Sequence, residues 1–162
     1  ASCYYEAGVV QLLFDKVEVV QDKAGYFFAK ALEYCRKQVV GKPTRYNLAI
    51  FEKTISDIAN FAISLDKYDI AQKLYDEIIE VLSKQKDENL KEDCNDEIGN
   101  IYFELANAYL KKKDDDLTEY YYNKAIDQYQ TLCLDDAMYF NRLAAIYASF
   151  SFYYENKNDF FL

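Results

Sequence analysis

Two asparagines are the residues whose type and spacing most directly suggest a chemistry. Asn60 follows Ala59 and Asn107 follows Ala106, so the two asparagines lie 47 positions apart in the same local context. An asparagine amide donates and accepts hydrogen bonds at once, which suits the backbone of an extended peptide. Their repetition indicates that a peptide is held by its main chain. The alternative is that two asparagines fall by chance at one position of a polar helix face.

Residues suited to catalysis do not form a pattern in this sequence. The chain has no histidine, no Gly-rich phosphate loop and no nucleophile motif. Acidic residues are plentiful, but none is singled out as the carboxyl in an apolar pocket that glycoside hydrolysis requires. No C-x-x-C pair occurs, so we expect free thiols in a reducing compartment at Cys3, Cys35, Cys94 and Cys133. We therefore expect no enzyme, no cofactor and no metal.

The charge of the chain argues against two classes of partner. Its net charge is −9, whereas contacts with nucleic-acid phosphates need clustered Lys and Arg. An anionic membrane surface is disfavoured for the same reason. No apolar run reaches the roughly 18–20 residues that span a bilayer, and no signal peptide is visible. These features predict a cytoplasmic protein that contacts neither nucleic acid nor membrane.

Two recurring patterns predict long helices arranged in hairpins. Glycine (4) and proline (1) are scarce, which favours helices over a β fold. A small residue, an aromatic residue four positions later and a small or aliphatic residue three further recur in blocks that begin at Ala24, Ala71 and Thr118. A second pattern, large-x-x-aliphatic-Ala-x-x-small or aromatic, begins at Ile55, Tyr102 and Phe140. Each pattern lies on one helix face, and its small residue lets a neighbouring helix approach closely.

Together the two patterns resemble the tetratricopeptide repeat. The resemblance implies an all-α fold, an α-solenoid of antiparallel helix hairpins with about three and a half repeats in a right-handed superhelix. A single domain would cover residues 1–162, with repeats at 2–40, 45–84, 91–132 and a truncated 135–162. The second and third repeats match both patterns, the first repeat matches only in its second helix, and the fourth matches only in its first helix.

The repeat length departs from the family. A typical unit has about 34 residues, whereas Ala59 and Ala106 are 47 apart and Ala106 and Ala144 are 38 apart. Much of the excess falls in the polar stretch 83–93, which is either a longer helix or a polar connection. A repeat of this length also overlaps the HEAT and armadillo range. Turn signals at residues 41–43, 66–67, 114–116 and 156–159 predict seven helices and the start of an eighth near Asp159.

The resemblance also implies which residues face a concave groove. In the family, the position of Asn60 and Asn107 faces that groove, and chaperone-cofactor and peptide-pheromone receptor members use asparagine there to hold a peptide. By the same alignment Arg142, two residues before Ala144, would face the groove and meet a carboxylate. The other expected groove residues are Lys53, Asn100, Glu104, Lys111 and Asn141. The full carboxylate clamp of the chaperone-binding class is not reproduced.

The expected function is therefore a scaffold that binds a protein or peptide in this groove. One alternative is a peptide-sensing effector domain of a bacterial transcription regulator, separated from an N-terminal helix-turn-helix. Another is a structural oligomerisation module, in which the apolar residues 160–162 pair with a second copy to form a homodimer. The upstream sequence of the native gene would decide the first alternative, and the size of the protein in solution would decide the second.

Overall fold

The computed structural model describes the backbone of residues 20–41 and 43–159. These residues form six α-helices and one short 3₁₀ helix, and no strand occurs among them. The elements are α1 (Val20–Gly41), α2 (Arg45–Ser64), α3 (Tyr68–Ser83), α4 (Glu88–Lys112), α5 (Asp115–Asp135), the 3₁₀ helix (Ala137–Tyr139) and α6 (Phe140–Asp159). The all-helical class predicted from the sequence is confirmed. The first predicted helix, up to residue 19, lies outside the described residues.

The chain divides into two compact units, Ala1–Glu80 and Val81–Leu162. The large side chains that are fully buried in the first unit are Leu32, Phe51, Ile55, Ile58, Leu74, Tyr75 and Ile78. Those of the second unit are Ile101, Leu105, Tyr109, Tyr122 and Tyr129. Both sets recur at helical spacing, so each unit has its own apolar core formed by one face of each helix. No helix of the described chain is long and apolar enough to cross a membrane.

The hairpins α2–α3 and α4–α5 turn in the same way. Asp66 ends the first helix of one hairpin with a φ of 58°, and Lys113 ends that of the other with a φ of 61°. The next residue in each case, Lys67 or Asp114, donates its backbone N–H to a carbonyl in the last helical turn, at 2.9 and 3.1 Å. A left-handed residue closes a helix in this way because it turns the following N–H back towards that carbonyl. The 47-residue periodicity therefore extends from the side chains to the backbone of the turns.

The small residues of the second pattern are buried in both hairpins. Ala59 of α2 and Ala106 of α4 are fully buried, as the pattern predicts for a position that admits a neighbouring helix. The third occurrence differs, because Ala144 of α6 is exposed. The covering helix is therefore present for α2 and α4, but no described residue covers α6 at the same place.

The long repeat results from a longer helix. Helix α4 begins at Glu88, after Asp87, whose side chain accepts a hydrogen bond from the Asn89 N–H at 3.0 Å. An acidic N-cap of this kind satisfies an otherwise unpaired backbone donor. Leu90 and Cys94, in the first two turns, are buried. Residues 84–87 alone separate α3 from α4, so most of the stretch 83–93 is helix and not connection.

Helix α6 is longer than the sequence predicts. The turn predicted at residues 156–159 is wrong, because the helix continues to Asp159. The start of an eighth helix predicted near Asp159 falls at the end of the described residues and stays a prediction. Lys157 binds the beginning of α5, with its Nζ atom 2.9 Å from Glu119 Oε1 and 3.3 Å from Asp115 Oδ2. A cation near a helix C-terminus also complements the helix dipole. These contacts favour helix where local composition favours a turn.

Candidate functional site

One face of α4 carries a continuous polar stripe, here called the α4 stripe. Except for one adjacent pair at its N-terminal end, its members recur every three or four residues, which aligns them along the helix. They are Asp96, Glu97, Asn100, Glu104, Asn107 and Lys111. Elsewhere around the helix, apolar residues such as Ile101 and Leu105 are buried and fix α4 in the core of the second unit. Four of the predicted groove residues therefore lie together on one helix face.

Two buried tyrosines of α5 contact the α4 stripe. The Tyr122 hydroxyl donates to Asn107 Oδ1 at 2.9 Å. The Tyr129 hydroxyl lies 2.7 Å from Asn100 Oδ1 and 2.8 Å from Asp96 Oδ1. Burial raises the pKa of both phenols, so they remain protonated donors at neutral pH. The stripe is thus held in place by hydrogen bonds from the second helix of its own hairpin.

Arg142 of α6 joins the same cluster. Its Nη1 atom donates to Asn100 Oδ1 at 2.8 Å, and its Nη2 atom lies 3.2 Å from Asp96 Oδ2. The sequence predicts a carboxylate opposite this arginine, and in the structure Asp96 of the same chain provides one. A carboxylate brought by a ligand would have to compete with that ion pair. Asn141, the residue before, is exposed on the same helix.

Gly99 allows Tyr129 to lie against the backbone of α4. A Cβ atom at position 99 would lie 2.7 Å from Tyr129 Cε2, which is closer than carbon atoms pack. Neither residue is among those predicted from the sequence to form the site. The available signal was a glycine inside an otherwise regular helical pattern, which often marks a close approach of two elements.

Three carboxylates lie along the stripe, those of Asp96, Glu97 and Glu104, and Asp96 is paired with Arg142. Partial burial raises the pKa of Glu97, and the nearby carboxylates of Asp96 and Glu104 raise it further, while Asn100 and Arg142 act in the opposite direction. A half-buried carboxylate beside two others favours a positively charged or hydrogen-bond-donating partner group. Glu97 and Glu104 therefore mark the part of the stripe whose chemistry suits a hydrogen-bond donor or a positive charge.

Asn60 occupies the equivalent position in the first unit. Its Oδ1 atom lies 3.5 Å from the Tyr75 hydroxyl. Asn60 and Tyr75 each lie 47 residues before their counterparts, Asn107 and Tyr122. Asn60 is exposed, as is Lys53, whose Nζ atom lies 3.5 Å from Asp57 Oδ2. The structure therefore places two of the predicted groove residues, Asn60 and Lys53, in the first unit, and the other six in the second.

Comparison of the chain with protein-family models, with curated proteins and with solved structures gives no match. The resemblance to the tetratricopeptide repeat is therefore one of residue pattern. The class that the described residues define is an all-helical protein with two hairpins of closely similar turn geometry.

Proposed function

We propose that this chain is a protein- or peptide-binding scaffold rather than an enzyme, built from tetratricopeptide-like hairpins, and that the α4 stripe receives a segment of the partner. The observation that carries the proposal is the repeated contact of Tyr75 with Asn60 and of Tyr122 with Asn107. Apolar packing alone would not require an amide at this position. The tyrosine donates to the amide at 2.9 Å in the second hairpin, and the equivalent atoms lie 3.5 Å apart in the first, so the amide has the same neighbour in both hairpins.

The tyrosine contact indicates which end of the amide is suited to a ligand. Since Asn107 Oδ1 accepts the Tyr122 proton at 2.9 Å, the two N–H groups on Nδ2 are the donors that a ligand would use. Such donors pair with main-chain carbonyl groups, which every peptide carries regardless of its sequence. Because Tyr122 uses one of the two acceptor positions on Oδ1, the proposal assigns the main contact with the ligand to the two N–H donors.

The charge of the surface supports a basic partner. The net charge of the chain is −9, and Asp96, Glu97 and Glu104 lie along the stripe. Complementary charge mainly accelerates association and excludes wrong partners. The proposed ligand is therefore a peptide segment whose carbonyl groups meet Asn107 and whose Lys or Arg side chains lie near the carboxylates.

The substitution Asn107→Ala tests the proposal, because alanine removes both N–H donors without adding a negative charge that would itself attract a basic peptide. Peptides selected from a displayed random library against the wild-type protein would be synthesised and titrated calorimetrically. We expect enrichment of basic peptides and a loss of affinity of about three- to tenfold in the variant, the effect of one net hydrogen bond. The thermal midpoint should fall slightly, because the Tyr122 hydroxyl loses its acceptor on Asn107.

The matched control is Asn123→Ala, at an exposed position on α5, which removes the same amide away from the stripe. Affinity in this control should equal that of the wild type. Equal affinities in all three proteins would contradict a role for Asn107, and a library that yields no binding peptide would contradict the peptide-binding scaffold itself.

A further inference from the structure

Helices α2, α4 and α6 each carry the second sequence pattern on one face. That face is buried in α2 and α4 but exposed in α6. In α2 the four positions of the pattern are at most 1% exposed: Ile55, Ile58, Ala59 and Ala62. In α4 the last three positions are equally buried: Leu105, Ala106 and Tyr109. In α6 the two aromatic positions, Phe140 and Tyr147, are 55% and 44% exposed, and Ala144 between them is exposed. The same sequence pattern is therefore present in α6, but no helix among the described residues covers it.

The hairpin α4–α5 indicates what such a face receives. Tyr121 of α5 stacks on Tyr102 and on Tyr109, with ring centroids 6.3 and 5.6 Å apart. One aromatic ring of the second helix thus contacts two rings that are seven residues apart on the first. Phe140 and Tyr147 have this same spacing, so they would receive one aromatic ring in the same manner.

The exposed face continues an interface that is already formed. Phe150 of α6 stacks on Tyr122 of α5 at 4.8 Å and contacts Tyr154 at 4.9 Å between centroids, and Tyr154 is 40% exposed. This face, here called the α6 receiving face, comprises Phe140, Leu143, Ala144, Tyr147, Ser151 and Tyr154. It contains no charged side chain, so an apolar partner surface can pack against it without burying a charge.

We propose that the α6 receiving face binds an amphipathic helix of another protein. By the precedent of α5, that helix carries a small residue, aromatic residues three and four positions later and a small residue three further on, as in Thr118, Tyr121, Tyr122 and Ala125. The surface differs from the α4 stripe, so the proposal does not depend on the proposed peptide-binding function. Helix-in-groove recognition of this kind is a common mode of protein association.

A second folded copy of the chain is a poor occupant. The matching faces of α3 and α5 are already used, because Tyr75, Ile78, Tyr122 and Ala125 are all buried. Either helix could reach another copy only after its own hairpin opened.

The test uses the full chain and a fluorescent peptide with the α5 sequence Asp115–Asp135, carrying Cys133→Ser. Binding is followed by anisotropy at about 0.15 M salt, where charge repulsion is screened beyond about 8 Å. We expect saturable binding that Ala144→Glu weakens by more than about tenfold, because a carboxylate would be buried in an apolar contact. Ala145→Glu, about 100° around the helix, should leave affinity within about twofold of the wild type. A peptide carrying Tyr121→Ala and Tyr122→Ala should bind weakly.

Three outcomes would overturn the proposal. The first is an absence of binding by the wild-type protein. The second is an equal effect of Ala144→Glu and Ala145→Glu, since the peptide would then bind elsewhere, for example by displacing α5 from α4. The third is a concentration-dependent dimer in analytical ultracentrifugation that Ala144→Glu dissociates, because a second copy would then occupy the face. Both variants lie at exposed positions, and circular dichroism would confirm that they fold.

Discussion

At the residue scale, the contact between Gly99 and Tyr129 determines how the α4 stripe is built. The absence of a side chain at position 99 lets the Tyr129 ring lie against α4. From there its hydroxyl reaches Asp96 and Asn100, and Asn100 also accepts from Arg142. One missing methyl group therefore allows a hydrogen-bonded cluster that joins three helices.

We expect Gly99→Ala to destabilise the second unit by up to about 2 kcal/mol. A new Cβ would lie 2.7 Å from Tyr129 Cε2, and overpacking of this kind costs about 1–3 kcal/mol. The better helix propensity of alanine offsets roughly 1 kcal/mol of that cost. Urea unfolding followed by circular dichroism measures the change.

Gly41→Ala provides the control for that experiment. Gly41 is the last residue of α1, and a Cβ atom there would meet nothing within 4 Å. Its free energy of unfolding should match the wild-type value or rise slightly. A Gly99→Ala protein as stable as the Gly41→Ala protein would show that the Tyr129 ring can move without loss, which contradicts the argument above.

At the element scale, the two hairpins share a turn in which a residue other than glycine takes a left-handed conformation. Asp66 and Lys113 occupy this position, and each precedes the N–H that closes the turn. A left-handed backbone costs roughly 1–2 kcal/mol for an L-residue with a side chain. The turn is nevertheless used twice, because it brings the second helix back onto the small residue of the first.

Lys113→Gly should therefore stabilise the protein, by up to about 1 kcal/mol, since glycine adopts a positive φ without steric strain but loses more entropy on folding. Lys111→Gly, two residues earlier in the last turn of α4, should instead destabilise it by about 0.5–1 kcal/mol, as glycine does within a helix. Thermal melts of the two variants would show shifts of opposite sign. Shifts of the same sign would mean that the backbone at position 113 does not have the left-handed conformation.

At the scale of the whole molecule, the chain consists of two units with separate cores. The second unit contains both proposed binding surfaces, the α4 stripe and the α6 receiving face. Its core is formed by its own helices, with Ile101, Leu105, Tyr109 and Tyr122 all nearly inaccessible. Burial of this apolar surface is the main stabilising contribution to such a core.

We expect a fragment of residues 81–162 to fold without the first unit. Circular dichroism should show a helical spectrum and a cooperative thermal transition, because the apolar contacts that stabilise the unit lie inside it. Leu105→Ala in the same fragment should cost about 2–5 kcal/mol, the usual effect of a large cavity in a core, and lower or abolish the transition. A fragment that is unfolded, or whose melt is insensitive to this substitution, would contradict the prediction.

Much of the fold follows from the sequence alone. Hydrophobic spacing is a local property, and it was sufficient to predict helices, the hairpins α2–α3 and α4–α5, and the burial of Ala59 and Ala106. The turn predicted at residues 156–159 is wrong because contacts distant in sequence determine the structure there. There a local turn signal is overridden by the contacts of Lys157 with α5, which composition does not reveal.

The site was only partly predictable, because its character depends on what lies across from each side chain. The sequence placed Asn100, Asn107 and Arg142 among the groove residues, but not the tyrosine hydroxyls or the carboxylate that engage them. It also presented Ala144 as equivalent to Ala106. Only the tertiary structure shows that Ala106 is buried and Ala144 exposed. The local sequence pattern determines which face of a helix is apolar, but not whether another helix packs against that face.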